Sequence, residues 1–117
     1  GEDHGEDRRH PLLESLAAGR DARVRARALF ALARQGGAGR AYVERNLSDR
    51  DPALRIVALR ALDATAGTAE AVRVAAPKLA RDPDATVRRE LAVLLRAVPA
   101  ADARAPWLDL WSRHTAG

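Results

Sequence analysis

The side chains that could do chemistry in this chain are few and scattered. Ser15, Ser48 and Ser112 are the only serines, and His4, His10 and His114 the only histidines. They form no nucleophile elbow, catalytic dyad or metal-ligand spacing. Cysteine is absent, which excludes disulfides, thiolate metal sites, covalent haem attachment and a cysteine nucleophile. Paired carboxylates occur at Asp49/Asp51 and Asp82/Asp84. Each pair stands just ahead of an apolar-periodic run, where helix capping accounts for it. Gly36-Gly37-Ala38-Gly39-Arg40 imitates a phosphate-cradling loop. A true one follows a strand and carries Gly-Lys-Ser/Thr, so this run reads as a helix stop and turn. Glu2, Asp3, His4, Glu6, Asp7 and His10 mix acid with imidazole. Residues 1–10 lack periodicity and read as a charged flexible linker rather than a metal site. No catalytic, cofactor or metal site is expected, and the chain is not expected to be an enzyme on its own.

Arginine is the one functional side chain in excess. Twenty basic residues face sixteen acidic ones, for a net charge of +4, and Lys78 is the only lysine. The surplus of Arg beside Ala reads in part as compositional bias. Arg25, Arg55 and Arg88 nevertheless recur in one frame, with Arg60, Arg89 and Arg96 close by. Such a register serves either as a stripe for an anionic partner or as a ladder paired with Asp49 and Asp82. No aromatic side chains are interleaved to stack bases, which places nucleic acid behind protein as the expected partner.

The elements that carry these residues repeat. Asp21–Leu32, Asp51–Leu62 and Asp84–Leu95 share an Asp, an aliphatic-Arg pair three residues on, and small or aliphatic residues at helical spacing. Val24, Ala28, Ala31 and Leu32 form one apolar face, repeated as Leu54, Ala58, Ala61 and Leu62, then as Val87, Leu91, Leu94 and Leu95. Asp21, Asp51 and Asp84 stand at the N-caps, and Pro52 at the first helical position. Shorter helical patterns run from Pro11 to Ala18, Gly39 to Leu47, Thr68 to Ala80 (with Pro77 expected to kink it or delay its start) and Pro106 to His114. No strand alternation is present. Hydrophobic residues make up 47% of the 117, and aromatics only 3%, which suits close helix-on-helix packing of small side chains.

The expected fold is all-α, an α-solenoid of about three and a half helical hairpins, each needing a neighbour to bury its face. Expected units cover 11–35, 38–65 and 68–98, with a final helix over 103–115, all within one domain from 11 to 117. The Asp six residues ahead of an Arg, at Asp49/Arg55 and Asp82/Arg88, resembles the HEAT repeat. That resemblance implies Asp–Arg bonds between neighbouring repeats. Arg25 has Gly19 at the equivalent place, so the first unit departs from the pattern. The stretches Gly39–Arg45, Asp49–Leu62 and Ala80–Leu91 are more narrowly similar to the HEAT region of large haem-binding CxxCH, membrane-associated dehydrogenase-like proteins. This would imply an extracytoplasmic scaffold section of a longer redox protein; otherwise the cytoplasm is expected. The CxxCH motif itself is absent here.

The expected role is a non-catalytic scaffold for a partner protein or for neighbouring domains of the same chain, without cofactor. Nucleic-acid binding by the basic stripe is the alternative. Arg60, Arg89 and Arg96 are the candidate contacts, with Trp107 and Trp111 on one face of the last helix. No apolar run reaches the ~20 residues of a membrane span, so direct insertion is not expected. The absence of Met leads to the expectation of a processed or excised piece.

Overall fold

In the computed structural model, residues 4–98 are described, with side chains from 11 onward. They form six α-helices: α1 His4–Ala17, α2 Ala22–Gln35, α3 Gly37–Arg45, α4 Pro52–Ala66, α5 Thr68–Leu79 and α6 Ala85–Leu95. A 3₁₀ turn, Asn46–Ser48, extends α3. The described residues contain no strand, and none of their helices is long and apolar enough to cross a membrane. The expected final helix over 103–115, with Trp107 and Trp111, lies outside the described residues.

The helices arrange in two layers. α4 lies between α2 and α6, making one row, and α1, α3 and α5 pack against that row from one hairpin to the next. Asp21, Asp51 and Asp84 cap α2, α4 and α6, each side chain accepting from backbone N–H groups two or three residues on. Those bonds satisfy donors that the first helical turn cannot pair internally. One glycine joins each hairpin to the next: Gly36 (φ 69°) between α2 and α3, and Gly67 (φ 91°) between α4 and α5. Positive φ is strained for any residue with a Cβ, so the sharp reversal needs glycine there.

The core is built from short aliphatic side chains. Ala28, Leu32, Val43, Leu47, Leu54, Ala58, Ala61, Leu62, Val87, Leu91 and Leu95 are buried, as the periodicity requires. Val24, Ala31 and Leu94 are half-buried. Leu29 and Leu59 are fully buried too, although neither belongs to the apolar face read from single helices. They sit one position round the helix from Ala28 and Ala58.

Two local expectations change. α1 begins at His4, so helical backbone occupies residues read as linker, and Pro11 lies inside the helix rather than at its start. Glu6 and Asp7 stand near its N-terminus, where the helix dipole favours acids, and proline removes only one backbone bond. α5 starts at Thr68 without delay, and Pro77 falls in its last turn.

Candidate functional site: arginine rungs and the α2–α4–α6 face

The paired aspartates divide two tasks within each turn. Asp49 Oδ1 accepts from the Asp51 amide at 2.9 Å, and Asp82 Oδ1 accepts from the Asp84 amide at 2.9 Å. The second aspartate of each pair then caps the helix. An Asp-x-Asp turn therefore holds its first carboxylate rigidly, with the second oxygen pointing toward the preceding hairpin. All four carboxylates thus accept backbone amides of their own turns.

Each first aspartate meets the register arginine of the preceding unit. Arg55 grips Asp82 in bidentate fashion, Nε to Oδ2 at 2.8 Å and Nη2 to Oδ1 at 2.9 Å. Its Nη1 also donates to the Asp49 carbonyl at 2.7 Å. Asp82 is 5% exposed, the one buried charged residue among those described. Arg25 reaches Asp49 more loosely, at 4.0 Å, and donates from Nε to the Ala17 carbonyl at 3.0 Å. Gly19 brings no carboxylate to the first turn, so that unit has the N-cap bonds of Asp21 alone. Arg88 donates from Nη1 to the Asp82 carbonyl, while its Nε is buried and has no hydrogen-bond partner.

Two further rungs were not read from the sequence. Arg40 on α3 pairs with Glu70 on α5 at 2.6 Å, and Arg60 on α4 pairs with Glu90 on α6 at 2.7 Å. Both are separated by thirty residues, close to the repeat period, and that spacing is the signal that could have found them. Arg60, a candidate contact, is thus tied to its neighbour although exposed. In four pairs between units of the described residues, Arg25–Asp49, Arg40–Glu70, Arg55–Asp82 and Arg60–Glu90, the arginine lies on the earlier unit and the acid on the later.

Glu70 is the most perturbed carboxyl among the described residues. The Arg73 guanidinium, then that of Arg40, holds its pKa down from 4.5 to about 2. A depressed carboxyl contributes stability above its unfolded value and loses it as pH falls toward the folded one. Replacing Glu70 by Gln is expected to cost stability at neutral pH. The difference from the parent should shrink between pH 4.5 and about 2, followed by urea unfolding across that range. A difference independent of pH would contradict the ion-pair account.

The described acids from Asp21 onward are bonded internally, whereas several arginines are exposed. Every carboxylate from Asp21 to Glu90 caps a helix, closes a turn or bonds a side chain. By contrast Arg23, Arg27 and Arg34 on α2, Arg89 on α6 and Arg96 just beyond it are exposed. α2 contains four arginines and no acid. Two clefts among the described residues are open: one of about 540 Å³ beside Gly67, Glu70 and Arg73, another of about 610 Å³ beside Phe30, Arg34 and Arg40. Neither lining holds a serine, a histidine or a pair of carboxylates. The arrangement leaves exposed guanidinium groups on α2 and at α6. Comparison with protein families, curated proteins and solved structures finds no match to this chain.

Proposed function

We propose that the chain is a HEAT-like solenoid module, a non-catalytic scaffold whose α2–α4–α6 face docks an acidic surface on a partner protein or neighbouring domain. The observation that carries this reading is the asymmetry of charge use: carboxylates are spent on caps and rungs, while Arg23, Arg27, Arg34 and Arg89 remain exposed. Rungs between hairpins keep the row of helices in register, so those guanidinium groups keep their spacing. Guanidinium forks suit carboxylates in bidentate geometry. The narrower resemblance to the CxxCH dehydrogenase-like proteins favours neighbouring domains of a longer chain as the acidic surface.

The test titrates the chain with a fluorescent 20-residue Asp/Glu-rich peptide and with single-stranded and duplex oligonucleotides of equal length, at 50 and 200 mM salt. Saturable peptide binding is expected. Charge reversal at Arg23, Arg27 and Arg34 together should weaken it about tenfold or more. Oligonucleotide binding that is tighter, and that collapses steeply between the two salt concentrations, would establish the nucleic-acid alternative instead. Binding to neither probe would overturn both.

A further inference from the structure

The exposed arginines of α2 share their face with one aromatic ring. Arg23, Arg27, Phe30 and Arg34 stand at i, i+4, i+7 and i+11, which puts all four on one side of the helix. The three arginines are exposed, and Phe30 is half-buried, packed against the core. The stripe thus contains an aromatic side chain that the sequence pattern was read as lacking. Phe30 also lines the cleft of about 610 Å³ between the end of α2, the start of α3 and the last turn of α4.

That cleft is apolar along its walls and cationic at its rim. Ala33, Ala64 and Ala66 line it beside Phe30, and because alanine side chains end at Cβ, the room between them stays open. The walls come from α2, α3 and α4, whose residues are described throughout. Its two guanidinium groups differ in availability. Arg40 is bonded to Glu44 at 2.9 Å and to Glu70 at 2.6 Å, so its charge is already matched. Arg34 is exposed and makes no hydrogen bond or ion pair from its side chain among the described residues. No acid of α2 competes for it. A carboxylate arriving at the cleft therefore meets Arg34, while an apolar side chain beside it meets Phe30 and the alanines.

We propose that the partner segment docked on this face carries an apolar anchor, a side chain of leucine or phenylalanine size that enters the Phe30 cleft with a carboxylate beside it on Arg34. The inference rests on the α2–α4–α6 docking reading and adds what the partner must bring besides acid. An exposed ion pair alone contributes little, whereas an anchor side chain desolvated in a pocket carries a large share of binding energy. Water excluded by the anchor also strengthens the adjoining Arg34–carboxylate attraction. One half-buried ring does not give the succession of stacking surfaces that a single strand uses, so a peptide segment is the occupant that fits.

The test titrates the full chain into two fluorescein-labelled peptides of equal length and charge, followed by anisotropy. One carries two glutamates on each side of a phenylalanine, and the other has serine in place of the phenylalanine. The phenylalanine peptide is expected to bind about tenfold or more tighter. This comparison leaves the protein unaltered, so it does not depend on a variant that folds. Ala64→Gln, at an exposed position of the cleft wall, should occupy the opening and erase the difference between the peptides. Arg34→Gln should weaken both. Equal binding of the two peptides to the parent chain overturns the anchor while leaving the docking reading in place, and binding of neither overturns both. A preference that persists in the Ala64→Gln chain, with its urea midpoint equal to the parent's, puts the anchor elsewhere and also overturns the proposal. Tighter binding of an oligothymidylate of equal charge does so too, because a stacked base would then be the occupant.

Discussion

Replacing Asp82 by alanine is expected to lower unfolding stability by about 3–5 kcal/mol, the range for breaking a buried ion pair from one side. The loss has two parts. Arg55, whose side chain is 12% exposed, keeps its charge but loses both bonds to the carboxylate. The Asp84 amide loses its acceptor at the entrance to α6. Removing both partners together, as Arg55→Met with Asp82→Leu, should cost less than Asp82→Ala alone, because no uncompensated charge remains. Urea unfolding of the parent, both single variants and the double variant measures the coupling. A loss below about 1 kcal/mol for Asp82→Ala would place this rung among exposed surface pairs and refute its role in joining the hairpins.

Gly39→Ala sets two effects of opposite sign against each other. Gly39 lies inside α3, and helix propensity alone favours alanine by about 1 kcal/mol. The structure reverses that sign. A Cβ at Gly39 would stand 2.3 Å from the carbonyl oxygen of Leu32, a backbone atom that cannot swing aside. Relief requires α2 and α3 to move apart, and overpacking of this kind costs about 1–3 kcal/mol. The expected result is a net loss of stability, greatest at the α2–α3 contact and visible there in hydrogen exchange. Ala41→Gly, at an exposed position of the same helix, should lose only the propensity term of about 1 kcal/mol. If Gly39→Ala were stabilising, the close approach of these two helices would be wrong.

Gly39 also shows how far the sequence could be followed. Gly36-Gly37-Ala38-Gly39-Arg40 was legible as a helix stop and turn, and Gly36 does end α2 with a positive φ. That the helix resumes at Gly37, and that Gly39 is needed for a contact with α2, depends on the packing of two helices. Likewise the Asp-x-Asp turns declared helix starts at Asp51 and Asp84, because capping is a local property of a few adjacent residues. Which arginine each first aspartate would meet was open, since Asp49 and Asp82 each have candidates before and after them in the chain.

By itself the sequence determined the all-helical class, the N-caps at Asp21, Asp51 and Asp84, and the inward face containing Ala28, Leu62 and Leu91. All of these follow from 3.6-residue periodicity and from hydrogen bonds that close within one or two turns. Only the tertiary structure decided that Leu29 and Leu59 are core and that Arg40 and Arg60 are held by Glu70 and Glu90. It alone showed that Arg25, Arg40, Arg55 and Arg60 each pair with an acid of the following hairpin. Those features depend on the stagger of one hairpin against the next. The stagger is set by how many small side chains interdigitate between helices, a balance of packing over the whole row that no single segment encodes.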